Sequence, residues 1–337
     1  MRKNKLLILI AIVAVMLFSL QGYAQGVDKI AQTGMKWLDI PIGARPASLG
    51  NAYMAGSPDA SSVFWNPAAV ALVPGTHVFL TQTQWIADIN VMAAAASYEM
   101  EGIGTFGVHF MNVSWGTINA TQFTGEASLY EPLGTFEPQD FAIGITYAKQ
   151  VSAKFSVGLN MRYIHENLMG DFVGSEGSFA NPEEVRAEMD ILAFDLATLF
   201  YTGYNDLRFG VSVKNLSAEK AYRFETFPLP LTFTFGLAMD VMQAYFVEPG
   251  SPQSLTLLVD AVHPRDFSER VNLGVEYGYN EMFFLRGGYK TNHDEQGMTL
   301  GAGIDVNISD FLLGVDYSYL DFGNFDAVHI FSFDFGF

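Results

Sequence analysis

From His77 to the C-terminus the chain repeats one pattern, runs of roughly ten residues in which apolar and polar side chains alternate. Successive side chains of a strand point to opposite faces, so each run makes a ribbon with one apolar and one polar side. The runs place strands at 77–86, 91–100, 103–114, 140–149, 155–165, 190–202, 207–216, 230–240, 254–262, 270–279, 282–290, 298–306, 311–319 and 327–337. The last is the clearest. Phe331, Phe333, Phe335 and Phe337 share one face, opposite Ser332, Asp334 and Gly336. Such a face suits a soluble sandwich with the phenylalanines inward, or a strand with lipid on one side and a polar lumen on the other.

The connections favour the second arrangement. Bacterial barrels alternate short periplasmic turns with longer outer loops. Here the connections after even-numbered strands are short: Glu101-Gly102, 150–154, 203–206, Asn280-Glu281 and 307–310. Those after odd strands include the longest, 115–139, 166–189 and 217–229. The segment 241–253 breaks the rule, being long where a short turn is expected. Most runs have the length at which a tilted strand crosses a bilayer. Arg162, Asp195, Arg208, Lys214, Asp240, Asp260, Glu276, Arg286, Asp305, Asp316 and Asp334 all lie opposite the apolar stripes, as lumen-facing groups would. Tyr147, Tyr163, Tyr201, Tyr277, Tyr279, Tyr317, Tyr319 and Trp85 fall near strand ends, where aromatic girdles sit. The reading is an all-β fold: a transmembrane antiparallel β-barrel of about fourteen strands, at residues 77–337. About eight strands already give a lumen that side chains nearly fill, so fourteen enclose a space needing a plug or holding water.

Residues 25–76 differ in kind. Gly43, Pro46, Gly50, Gly56, Pro58, Pro67, Pro74 and Gly75 interrupt any long element. Short helices are expected near Ala47–Ala55 and Pro67–Leu72, the latter capped by Asn66 with Pro67 at its first position. Ahead of this segment, residues 1–24 read as a signal peptide: Arg2, Lys3 and Lys5, an apolar run from Leu6 to Phe18, and small residues before a cleavage after Ala24. Its removal takes the formal charge from −18 to −21, an acidity that weighs against nucleic-acid partners. Cysteine is absent, so there is no disulfide, thiolate metal site or lipid-anchoring thiol.

Chemistry-bearing motifs are lacking. Gly102-Ile103-Gly104-Thr105-Phe106-Gly107 matches a dinucleotide fingerprint but opens a strand where a helix is required, so its glycines read as lumen-facing. The six histidines form no metal-ligand spacing, and His165-Glu166 reads as solvated at a loop mouth. No G-x-S-x-G elbow occurs. Asp305 and Asp316 could face each other as a like-charge pair, with a lumenal role favoured over acid–base catalysis. The expectation is a non-enzyme with no cofactor, catalytic residue or metal.

One stretch is more specific. IGARPASLGNAYMAGSPDASSVFWNPAAVAL, from Ile42 to Leu72, resembles the N-terminal signature of the PorV/PorQ family, a branch of the FadL-like outer-membrane barrels. The matching positions include Gly43-Ala44-Arg45, Leu49-Gly50, Ala52, Ser57-Pro58-Asp59-Ala60 and Trp65-Asn66-Pro67-Ala68. The resemblance implies a hatch at 25–76 folded into the lumen, with Gly43, Arg45, Gly50, Asp59, Asn66 and Pro67 as its motif. It implies a cell outer-membrane location, with outer-membrane lipids, the barrel-assembly machinery, a secretion translocon and secreted cargo proteins as partners. The implied function is assistance of protein export or surface attachment in type IX secretion. The alternatives are FadL-like transport of hydrophobic small molecules, or a structural barrel. Phe337 resembles the terminal aromatic that marks a barrel for assembly.

Overall fold

The computed structural model describes residues 32–123, 130–170, 173–174, 188–221, 226–248, 250–309 and 311–337; the expected signal peptide and residues 25–31 lie outside them. Fourteen antiparallel strands close into one barrel. They are β1 (Thr76–Gln84), β2 (Asn90–Met100), β3 (Gly104–Ser114), β4 (Gln139–Ser152), β5 (Phe155–Asn167), β6 (Glu188–Tyr201), β7 (Arg208–Ser217), β8 (Thr232–Asp240), β9 (Gln253–Pro264), β10 (Arg270–Tyr279), β11 (Phe283–Lys290), β12 (Met298–Ile308), β13 (Phe311–Leu320) and β14 (Val328–Gly336). Each expected strand is present, shifted at its ends by a few residues.

Closure is made by β1 and β14, in a register that sets Leu80 against Phe333 and Gln82 against Phe331. Beyond the ladder, the Thr76 and Phe337 main chains exchange hydrogen bonds of 3.2 and 2.8 Å. The phenylalanine stripe lies outside: Phe331 and Phe333 are exposed, while Ser332 is buried in the lumen. The whole wall follows suit. On β6, Leu192, Phe194 and Leu196 are exposed and Asp195 is 2% exposed. An apolar outer face of this extent is stable against hydrocarbon and would aggregate in water. Two aromatic assignments need correction. Trp85 turns toward the lumen mouth and meets Phe322 edge-on at 4.9 Å, and Tyr201 pairs inward beside Arg208, so neither belongs to the outer girdle.

The two rims differ as expected. At one, the connections between described strands run from 153–154 to 202–207, with 241–252 the single long one. At the other, residues Ile118–Phe123 and Tyr130–Phe136 extend as a hairpin, joined by Val173–Gly174, into a small three-stranded sheet. By the architecture of bacterial barrels the first rim is periplasmic and the second external.

Residues 32–75 occupy the lumen. The segment begins at the external mouth, where Gly34 N donates to Pro228 O and the Thr33 hydroxyl to Asp266. It descends through short helices at Lys36–Asp39, Ala44–Ser48, Ser62–Trp65 and Pro67–Leu72, and leaves at the periplasmic rim into β1. Helix Ala44–Ser48 is shorter than expected and starts earlier; after it, Gly50 and Asn51 take positive φ and turn the chain. Helix Pro67–Leu72 matches, with Asn66 Oδ1 accepting from Ala68 N at 3.0 Å.

Close approach to the wall depends on lumen-facing glycines. A Cβ on Gly158 would lie 2.3 Å from Pro67 C and Ala68 N, and one on Gly288 2.1 Å from Gly50 N. Gly107, from the spurious fingerprint, similarly faces Val63. Gly158→Ala or Gly288→Ala should therefore cost about 1–3 kcal/mol through overpacking, and unseat the inner segment before the wall. The expected readout is faster proteolysis within residues 32–75 of the folded protein, with heat-modifiable gel mobility retained. Unchanged proteolysis would contradict the packing.

Candidate functional site

The inner segment is held by polar side chains of the wall, each meeting a group that the segment cannot satisfy itself. The Arg45 guanidinium donates from Nε and Nη2 to the two carboxylate oxygens of Glu276, at 2.9 and 2.7 Å. Arg286 Nε donates to the same carboxylate at 2.6 Å, and Arg286 also pairs with Asp316. Phe284 lies beneath both guanidinium groups, 5.5 and 5.1 Å from its centroid. Asp59 stands 3.8 Å from Arg45 and accepts from the Tyr53 hydroxyl at 2.5 Å.

Backbone groups are fixed in the same way. Asp260 accepts from Tyr53 N and Met54 N at 2.9 and 2.8 Å, and Arg208 Nε donates to Ala55 O at 2.8 Å. Gly50 N donates to the Thr299 hydroxyl, which donates to Ser48 O. Asn66 braces the segment from within, donating to Met54 O at 2.7 Å. All six motif residues thus lie where the segment turns or meets the wall: Gly43 at φ 96° before the first lumenal α-helix, Gly50 at φ 65° against the Tyr289 backbone, Arg45 and Asp59 in the ion network, Asn66 and Pro67 against β5 and β6.

Sequence reasoning missed several contacts. Glu166 is buried, contrary to the solvated reading, because Trp37 covers it and donates its indole N–H at 2.8 Å. Asp305 and Asp316 do not pair: they stand opposite Gly314 and Gly303, and Asp316 is engaged by Arg286. At Asn215 (φ 64°) the β6–β7 register shifts, a bulge that turns Lys214 and Asn215 both inward. Lys214 Nζ then donates to Phe64 O at 2.6 Å, and Asn215 meets Asp195, Arg162 and Pro230. A bulge leaves no trace in an alternation pattern, which explains the omission.

Above these anchors a cavity of about 510 Å³ remains between segment and wall. Trp37, Ile40, Ile42, Phe64, Trp65 and Trp115 give it an apolar side, and Arg162, Asp195, Lys214, Asp260 and Arg270 a polar one. Among the described residues no cluster of three His, Asp or Glu is placed to hold a metal.

Arg45 makes the bidentate contact of this network, so removing it leaves Glu276 short of one partner at low exposure. Leaving a buried charge wholly unpaired costs about 3–5 kcal/mol; because Arg286 still pairs with Glu276, the cost here falls below that range. Arg45→Ala should loosen the segment and raise single-channel conductance in planar bilayers. Arg45→Lys should fall between, since an ammonium lacks the fork that matches a carboxylate. Conductance unchanged in both variants would show that the Arg45–Glu276 contact does not hold the segment.

Comparison with known proteins places these features. Residues 23–242 match the family model for the type IX secretion system protein PorV. No curated protein matches the sequence. Among solved structures, the CymD monoaromatic hydrocarbon channel is similar in fold, with TM-score 0.53 at 13% identity over 88% of this chain and 98% of that one. The Pseudomonas putida toluene transporter TodX gives TM-score 0.53 at 12% identity, over 86% of this chain and 96% of that one. At such identities the likeness concerns the fold alone, a closed antiparallel β-barrel. With the family model spanning the inner segment and the wall as far as β8, the chain belongs to the PorV family of type IX secretion system proteins.

Proposed function

We propose that this barrel is a non-enzymatic accessory of type IX secretion that assists export or surface attachment of proteins at its external rim. Residues 25–76 act in it as a hatch, seated by Gly43, Arg45, Gly50, Asp59, Asn66 and Pro67. Residues 1–24 direct export and are removed. The observation that carries the reading is the family match together with a lumen occupied by its own chain. The remaining cavity of about 510 Å³ is far below the volume of a folded 100-residue domain, on the order of ten thousand Å³ for a radius of gyration near 13 Å. With the hatch in place, cargo is therefore handled outside the lumen. The external rim, with its sheet formed by Ile118–Phe123, Tyr130–Phe136 and Val173–Gly174, is the surface available for it.

A second reading is passage of hydrophobic small molecules, favoured by the aromatic side of the cavity. Affinity capture of the tagged barrel from detergent-solubilised native outer membranes separates the two. Recovery of secretion translocon components or secreted cargo supports the first. Their absence, with impaired uptake of an apolar compound in a deletion strain, supports the second.

Phe337 is the proposed mark for the barrel-assembly machinery. Its ring meets Phe311 at 5.2 Å while remaining largely exposed, so Phe337→Ala removes little packing and keeps the main-chain bonds to Thr76. The substitution should lower the amount of barrel in the outer membrane several-fold, measured by membrane fractionation, while detergent-refolded protein stays heat-modifiable. Normal amounts would refute that role.

A further inference from the structure

The long periplasmic connection 241–252 is the exception to the loop pattern. Its first seven residues, VMQAYFV, carry no charge. Each short periplasmic turn carries one instead: Glu101, Lys154, Asp206, Glu281 and, from the sequence, Asp310. The segment is also folded. Met242–Phe246 form one helical turn, with Gln243 N donating to Asp240 Oδ1 at 3.0 Å. The Gln243 side-chain amide donates to Ser251 O and Gln253 O, at 2.9 and 2.7 Å, and so closes the base of the loop.

This turn lies against the outside of the wall. On β8 the lumen-facing residues are Thr234, Gly236 and Ala238, so Met239 stands in the outward register, opposite Leu257 of β9. Leu257 is exposed as lipid-facing residues are, but Met239 is only 5% exposed, and Val241 beside it is buried too. Something outside the sheet covers them. The turn Met242–Phe246 packs against β9, and the Tyr245 hydroxyl lies 3.2 Å from that of Tyr204, in the turn between β6 and β7. Phe246 is left 62% exposed. It continues a belt that already includes Tyr204 and, at the end of β10, Tyr279, which pairs with Gln253.

We propose that residues 241–248 form an interfacial foot, lying in the headgroup–acyl boundary of the periplasmic phospholipid leaflet with Phe246 inserted toward the acyl chains. Its continuity with the lipid-facing wall identifies the occupant as lipid. An uncharged aromatic turn lying on the outside of a membrane barrel gains by burial in the interface, where tyrosine hydroxyls stay among polar headgroups. Glu248, exposed at the end of the segment, marks where the chain returns to water. The foot fixes the depth of the wall from β7 to β10 and so holds the hatch anchors Asp260 and Arg208 at constant height.

Absence of cysteine makes a clean test possible. Phe246→Cys and, separately, Val247→Cys are spin-labelled in the full barrel, reconstituted into phosphatidylethanolamine–phosphatidylglycerol vesicles, with heat-modifiable mobility confirming the fold. Collision with oxygen and with a water-soluble nickel chelate is compared with Phe235→Cys on the lipid-facing wall and Glu101→Cys in a periplasmic turn. The proposal expects an oxygen-to-nickel ratio at position 246 above that at 101. A ratio no higher than at 101 places the segment in water and overturns the foot. Shielding of the label from both reagents overturns it too, because protein rather than lipid would then cover the site.

Discussion

Hydrocarbon offers no hydrogen bonds, so a sheet in a membrane must leave no edge, and the pairing of β1 with β14 is what removes it here. Each backbone group left unpaired in lipid would cost several kcal/mol, far more than any one side-chain contact returns. Closure fixes the side on which every side chain lies. The phenylalanines of β14 and the leucines of β6 can then face outward only because lipid replaces water there.

Closure with fourteen strands creates the next problem, a lumen too wide for wall side chains to fill. The chain fills it with its own first segment. That segment cannot form a strand or a long helix inside the barrel, so it folds as short turns whose backbone groups need partners from the wall. Asp260, Arg208 and Thr299 supply them. Alanines at 44, 47, 52, 60 and 68, all buried, allow close approach, and Gly158 and Gly288 complete it from the other side. The ion network of Arg45, Glu276, Arg286 and Asp316 belongs to the same logic. A buried pair adds little net stability over apolar packing, but an unpaired charge is costly, so the network selects one seating among many.

A filled lumen bears on the biology of the family. The barrel keeps its wall and its inner segment as one packed body, leaving a cavity of about 510 Å³ and an external rim that carries a small sheet. Three side-chain contacts between residues far apart in the chain tie these regions together: Trp37 to Glu166 near the mouth, and Lys36 and Thr33 to Asp266 in the external connection between β9 and β10. Any partner that moves the external connections therefore acts on the top of the inner segment first.

The strands, their number, the side facing lipid and the alternation of rims were legible in the sequence, because a period of two and the length of a bilayer crossing are local properties of each segment. So were the break at the start of the barrel and the Asn66-Pro67 cap, which depend on neighbouring residues. What only the tertiary structure decided are pairings between residues far apart in the chain. Arg45 with Glu276, Tyr53 with Asp260, and Trp37 with Glu166 form because closure brings distant strands around one segment. Trp85 and Tyr201 were misplaced for a related reason, since an aromatic near a strand end has the same local pattern whether it turns to lipid or to the lumen. The bulge at Asn215 and the outer cover over Met239 are further cases: both reverse what alternation alone dictates, and each is set by contacts with neighbouring strands and turns that the pattern of one strand does not carry.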